Sequence, residues 1–200
     1  NKGEISAQSL GVYTDALIND GVMASKTATY RADTIDNSGY LSSDGNQTLH
    51  YRTLMNSGEL VGAGLTLEGD ETENRGTMSG ESFVVSTGLK FKNTGTIQGK
   101  RVNVSQDEFR NAGVIQAEEM TIEGERLLNT ETGELQADSV RVEVSQDIDN
   151  EGIISSEESV ALKASNHLNN RGSVLGKQVK ISSKKTENYG LVQGEETYFS

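Results

Sequence analysis

Apolar residues recur along this chain at every second position in short bursts, and the bursts themselves recur every 18 to 20 residues. Aligned on glycine, the repeat starts at Gly3, Gly21, Gly39, Gly58, Gly76, Gly95, Gly113, Gly133, Gly152, Gly172 and Gly190. Two positions after each glycine stands an apolar residue: Ile5, Met23, Leu41, Leu60, Met78, Ile97, Ile115, Leu135, Ile154, Val174 and Val192. An apolar pair follows at alternate positions: Leu10/Val12, Leu65/Leu67, Phe83/Val85, Val102/Val104, Met120/Ile122, Val140/Val142, Val160/Leu162 and Val179/Ile181. A third group lies four residues before the next glycine in the regular turns, at Leu17, Ile35, Leu54, Phe91, Phe109, Ile148 and Leu168, with Leu127 equivalent before the longer turn and Thr72 and Thr186 as polar exceptions. A spacing of two is the strand period, and Val, Ile and Phe favour strands. The unit is too short for a pair of helices and suits one coil of a solenoid made of short strands and corners.

The corners are written in polar and small residues. Asn precedes glycine by two at Asn1, Asn19, Asn37, Asn56, Asn74, Asn93, Asn111, Asn150, Asn170 and Asn188, while Asn129-Thr-Glu-Thr-Gly133 carries two extra residues. Gly tolerates positive φ and Asn hydrogen-bonds turn backbone, which is the expected reason for this pairing. Stacked coils are expected to align the Asn amides in a ladder. Four residues after glycine comes a column of small residues (Ala7, Ser25, Ser43, Gly62, Gly80, Gly99, Ala117, Ala137, Ser156, Gly176, Gly194), expected at a second tight corner. The sequence therefore predicts an all-β fold: a right-handed parallel β-helix of about eleven coils, a single unit over residues 1–200. Parallel strands stack about 4.8 Å apart, so the rod is about 50 Å long. Each coil contributes about four or five inward groups worth roughly 1.5–3 kcal/mol apiece. Coil three fits least well: Asn46 falls where an apolar residue is expected, Leu49 and Tyr51 take over after a one-residue shift, and a bulge or loop is predicted within Leu41–Leu54.

Composition narrows the function. A net charge of −12 disfavours nucleic acid and anionic membrane surfaces as partners. There is no Cys, Pro or Trp, so disulfides and Cys-based zinc sites are excluded. No apolar run reaches the roughly 18 residues that a membrane-spanning helix needs. The chain begins in mid-pattern and reads as a segment of a longer repeat protein.

A leucine-rich repeat needs a different spacing between its apolar positions and its Asn, and the Gly-Gly-x-Gly-x-Asp calcium repeat is absent. The pattern apolar-x-Asn-x-Gly-x-Ile-x-(Ala/Gly)-x-x-apolar-x-apolar, clearest in FKNTGTIQGKRVNVS (residues 91–105) and LNNRGSVLGKQVKIS (168–182), resembles the filamentous-haemagglutinin repeat. That repeat builds the stalks of exoproteins secreted by two-partner systems, both haemagglutinin-like adhesins and contact-dependent growth-inhibition effectors. The resemblance covers essentially the whole chain. It implies a secreted, extracellular filament at the bacterial cell surface, an outer-membrane secretion partner for the parent protein, and contact with a cell-surface receptor or glycan.

Candidate chemistry is sparse. An acidic column four residues before each Asn (Asp15, Asp33, Asp70, Asp107, Glu125) is interrupted by Arg52 and Leu89 and continues as Gln146, Asn166 and Lys184. Its simplest reading is a solvated edge; the alternatives are a hard-cation site or an acid–base pair acting on a sugar. A second column (Glu81, Lys100, Glu118, Asp138, Glu157, Lys177, Glu195) suggests charge pairing between coils, individually weak. His50 and His167 lie six or seven coils apart, so neither is expected to find metal or triad partners. Asn46 and Asn103 match the glycosylation sequon. Tyr13, Tyr40, Tyr51, Tyr189 and Tyr198 are expected outside, with Tyr40 and Tyr51 the first candidates for receptor contact. The sequence assigns no catalytic, cofactor-binding or metal-binding residue, and the receptor-binding residues stay unspecified. The function expected is a non-enzymatic stalk extending a distal module. A receptor- or glycan-binding module is the alternative. A polysaccharide-active β-helix enzyme is disfavoured because coil lengths vary by only two residues and leave no loops to wall a groove.

Overall fold

The computed structural model describes residues Asn1–Ser200 and contains strands but no helix. Every strand pairing is parallel and joins one coil to the next, so the fold is a parallel β-solenoid. In the first two coils the strands are Glu4–Tyr13 with Ala16–Asn19, and Val22–Arg31 with Thr34–Asn37. Coil three is built from Tyr40–Ser43 and Asn46–Asn56. From coil four to coil nine the strands of each coil run together as one bent ribbon: Glu59–Asn74, Thr77–Asn93, Thr96–Asn111, Val114–Asn129, Glu134–Asn150 and Ile153–Asn170. The last two coils separate again, into Ser173–Leu175 with Gln178–Asn188, and Leu191–Gln193 with Glu196–Phe199.

Each coil has three sides, exemplified in coil seven by Val114–Ala117, Glu119–Glu123 and Arg126–Asn129. Alternation sends Ile115, Met120, Ile122 and Leu127 into a single core, where all four are buried. The equivalent residues of neighbouring coils stack on them in register, as Ile97–Ile115–Leu135 and Phe109–Leu127–Ile148 do. The Phe91 and Phe109 rings meet at 5.4 Å between centroids. One coil alone has no second layer to bury these groups, so stacking is what removes them from water.

Extra residues are absorbed at corners without disturbing the stack. In coil three the added residue falls at the Asp44–Gly45 bend, after which Gln47, Leu49 and Tyr51 face inward while Asn46 is exposed. The one-residue shift is as the sequence suggests, and no larger loop is needed. In coil five the extra residue lies at Glu81–Ser82, where the register slips between Gly80 and Phe83. The inward pair there is consequently Val84 and Ser86, not Phe83 and Val85. Phe83 lies outside against Gly64, where a Cβ would sit 2.3 Å from its ring. The long turn Asn129–Gly133 keeps its Asn in line, since Asn129 Nδ2 donates to Gly133 O at 3.1 Å.

The corner glycines stand in place for a reason other than the one expected. The only positive-φ residue in the chain is Gly124. What requires glycine is close backbone approach: a Cβ on Gly21, Gly39, Gly58, Gly76, Gly95, Gly113, Gly172 or Gly190 would lie 2.0–2.1 Å from the carbonyl oxygen of the glycine one coil earlier. Gly3, with no coil beneath it, has nothing within 4 Å of that point.

Candidate functional site: an internal amide ladder and a charged exterior

The most regular chemical feature is inside the rod. Asn1, Asn19, Asn37, Asn56, Asn74, Asn93, Asn111, Asn129, Asn150, Asn170 and Asn188 form one continuous ladder, each Nδ2 donating to the next Oδ1 at 2.7–2.9 Å. The same amides also donate to turn carbonyls, as Asn74 does to Gly76 O and to Thr96 O in the coil above. From Asn19 to Asn170 these amides are buried. An amide fills this position because it is donor and acceptor at once and repeats without a net charge. The ladder is architecture: its donors and acceptors are spent on one another.

A second internal feature was not legible as a pattern. Tyr51, which the one-residue shift in coil three turns inward although it also counts among the candidate surface tyrosines, is buried, with its hydroxyl 2.6 Å from Thr72 Oγ1 and Ser86 the next hydroxyl in reach. Gln106 Nε2 donates to Ser86 Oγ at 3.0 Å. The four residues thread a polar path through coils three to six. Tyr51 turns inward because coil three gains its residue at Asp44–Gly45, and Gly69 leaves space for its ring. Tyr30 is buried as well. Burial pushes both phenols up to about 12. An unfolded tyrosine loses its proton near pH 10. Between about pH 10 and 12 the unfolded state therefore binds fewer protons than the native state, and stability falls as pH rises. Absorbance titration is expected to show Tyr30 and Tyr51 ionising only with alkaline unfolding; ionisation of both near pH 10 in a folded protein would contradict the placement.

The outward columns divide by side. On the third side, acids and bases alternate from coil to coil: Glu71, Lys90, Glu108, Arg126 and Asp147 occupy one column. In the adjacent column Lys92 Nζ lies 2.7 Å from Glu73, which also meets Arg75. The Lys92 hydrogen bond, then that of Arg75, holds the Glu73 carboxyl below the usual range. Glu143 is paired with Lys163 and Arg141. His50 Nδ1 is 2.8 Å from Glu68, and His167 Nε2 is 3.1 Å from Glu187, each partner one coil along. These contacts are exposed and individually weak.

The sequence-derived columns fare differently. Asp15, Asp33, Arg52, Asp70, Leu89, Asp107 and Glu125 all lie exposed on one corner. Asp33, His50, Arg52 and Asp70 share a shallow hollow of about 450 Å³ floored by Ala32 and Tyr51. Further along, Gln146 donates to Glu125 at 3.0 Å, and Asn166 donates to Asp147 at 2.7 Å. No group of three or more His, Asp or Glu side chains converges on a common point. The column Glu81, Lys100, Glu118, Asp138, Glu157, Lys177, Glu195 does not form the expected coil-to-coil pairs; the ion pairs of the chain lie elsewhere. These residues stand on the corner between the first and second sides, where the register slips at Gly80/Phe83 and at Ala137/Ser139. Asn46 and Asn103 are exposed, as are Tyr13, Tyr189 and Tyr198, and Tyr40 is half-buried on the first side. No helix of the structure is long and apolar enough to cross a membrane. No family model, no curated protein and no solved structure matches this chain.

Proposed function

We propose that this chain is a non-enzymatic stalk segment of a large secreted bacterial surface exoprotein of the filamentous-haemagglutinin type, which extends a distal module toward target cells. The observation that carries the reading is the unbroken Asn ladder across all eleven coils. A rod whose buried polar groups are satisfied coil by coil resists bending and stretching, because any local opening exposes several of them at once. Extra residues are spent on tight bulges, not on loops, so no wall rises beside a side to enclose a substrate. The repeat pattern of residues 91–105 and 168–182 supplies the resemblance to secreted stalks.

Two assays on the purified chain test this. Labelled protein is expected to show no saturable binding to bacterial or animal cells, and to release no reducing ends from acidic polysaccharides. Saturable binding would move the chain to the receptor-binding reading. Release of reducing ends that Asp107→Asn abolishes would make it an enzyme.

A further inference from the structure

The first side differs from the rest of the exterior. Its two outward columns hold one residue and three residues after each repeat glycine. Across all eleven coils their only charged members are Glu4, Glu59 and Glu134. The remainder are Ser, Thr, Gln, Ala and aliphatic residues, with Tyr40. In the middle of this side Gln98 donates to Gln116 at 3.2 Å and Gln116 to Gln136 at 3.4 Å, so the exterior carries an amide ladder of its own. The register through this side is continuous from coil to coil, the slips falling at its far corner or beyond. The result is a flat parallel sheet face with three glutamates among its 22 outward residues, on a chain whose net charge is −12.

We propose that this face docks a second copy of the same chain, first side against first side. Three arguments support that occupant. Flat sheets whose side chains stack about 4.8 Å apart pack face to face by interdigitation, as steric zippers do, and this face is rich in Gln, Ser, Thr and Val with three identical Gln rungs at its middle. Charge selects this side: bringing the third sides together would bury the charges of Glu71, Lys90, Glu108 and Arg126, four in successive coils of one column, at a desolvation cost. Area is sufficient. A face about 50 Å long and four residues of about 3.3 Å wide buries roughly 650 Å² per partner, about 1,300 Å² in all, within the range of specific stable interfaces. A self-complementary patch of this kind gives a closed dimer with two-fold symmetry.

Sedimentation velocity of the intact chain over the micromolar range provides the test. The wild type is expected to reach a dimer and stop there. Thr96→Glu/Gln116→Glu, in the centre of the face, is expected to sediment as a monomer with an unchanged circular dichroism spectrum and melting temperature. Thr121→Glu/Asn103→Glu, the same charge change on the second side, is expected to remain dimeric. A wild type that stays monomeric throughout would overturn the proposal. So would a dimer that survives Thr96→Glu/Gln116→Glu. Open-ended growth beyond the dimer, unaffected by those substitutions, would instead show that copies stack end to end and would equally refute the face.

Discussion

Gly113→Val is expected to abolish the cooperative thermal transition of the native chain, while Gly3→Val leaves it within a degree or two. The two glycines occupy the same column and differ in what lies beneath them. A Cβ on Gly113 would sit 2.1 Å from Gly95 O and 2.9 Å from Asn93 Nδ2. Both belong to a turn that is itself clamped: Val114 N donates to Gly95 O at 3.0 Å, and Ala112 N to Asn93 O at 2.8 Å. Relief requires the coils to part by about an ångström, which breaks those bonds and the Asn93–Asn111 link together. Each buried group left without a partner costs about 1–3 kcal/mol, so the total exceeds the roughly 4 kcal/mol that marks an exceptional single substitution. The open surface at Gly3 offers nothing within 4 Å, and exposed substitutions stay within about 0.5 kcal/mol. Ala112, half-buried between the two corner residues, is expected to tolerate change. Equal melting temperatures for Gly113→Val and wild type would refute the stacking register.

Asn93→Asp is expected to be worse than Asn93→Ala at neutral pH and to recover in acid. Asn93 accepts from Asn74 Nδ2 at 2.8 Å and donates to Asn111 Oδ1 at 2.9 Å. Alanine removes both bonds and the one to Gly95 O, leaving Asn111 Oδ1 unpaired and Asn74 Nδ2 with its turn carbonyls alone, and costs about 3–5 kcal/mol with the cavity included. Aspartate keeps the acceptor facing Asn74 but turns a second oxygen onto Asn111 Oδ1, and its charge is buried without a cation. Burial favours the neutral acid, so the folded-state pKa rises above that of the unfolded chain. The substitution is then least damaging below the unfolded value near 4, and stability falls as pH rises through the folded value. Asn1→Ala, at the half-exposed first rung where no other Asn donates to it, is expected to cost much less. Chemical denaturation of the four proteins at two pH values checks the order. Indifference of Asn93→Asp to pH would mean that the amides do not run in one direction.

Much of this architecture is legible in the residues because a solenoid repeats its local rules. Ile115, Met120, Ile122 and Leu127 face inward as the period of two requires, and the Asn column announces a ladder. Legibility fails where a coil gains a residue. Phe83 and Val85 keep the apolar alternation on paper, but the slip at Glu81–Ser82 rotates Val84 and Ser86 into the core. Tyr51 reads two ways, as an inward residue after a one-residue shift and as a surface aromatic, and the Asp44–Gly45 bend decides for the first by turning it onto Thr72. Spacing alone cannot place such a slip, since one added residue fits any corner. The glycines show a subtler failure: their column is visible, but the cause is the carbonyl of the coil beneath, a contact about 18 residues distant in sequence. The corner column from Glu81 to Glu195 sets lysines between acids but sits where the register slips at Gly80/Phe83 and Ala137/Ser139, and none of its members forms an ion pair, whereas Arg126 in the flat-side column reaches Asp147 at 3.8 Å. The uncharged first side is also visible in the sequence, once the two outward columns are separated from the inward one.

The rod itself is tested most directly by one distance. Thr29 and Lys180 belong to a single outward column on the second side, linked through Thr48, Thr66, Val85, Asn103, Thr121, Arg141 and Ala161. The chain has no cysteine of its own, so Thr29→Cys/Lys180→Cys takes two spin labels cleanly. Eight steps of about 4.8 Å place them about 38 Å apart, and dipolar spectroscopy on protein diluted with unlabelled chain is predicted to give one narrow peak near that value. A peak well short of it, or a broad distribution, would contradict a stack of eleven coils in register.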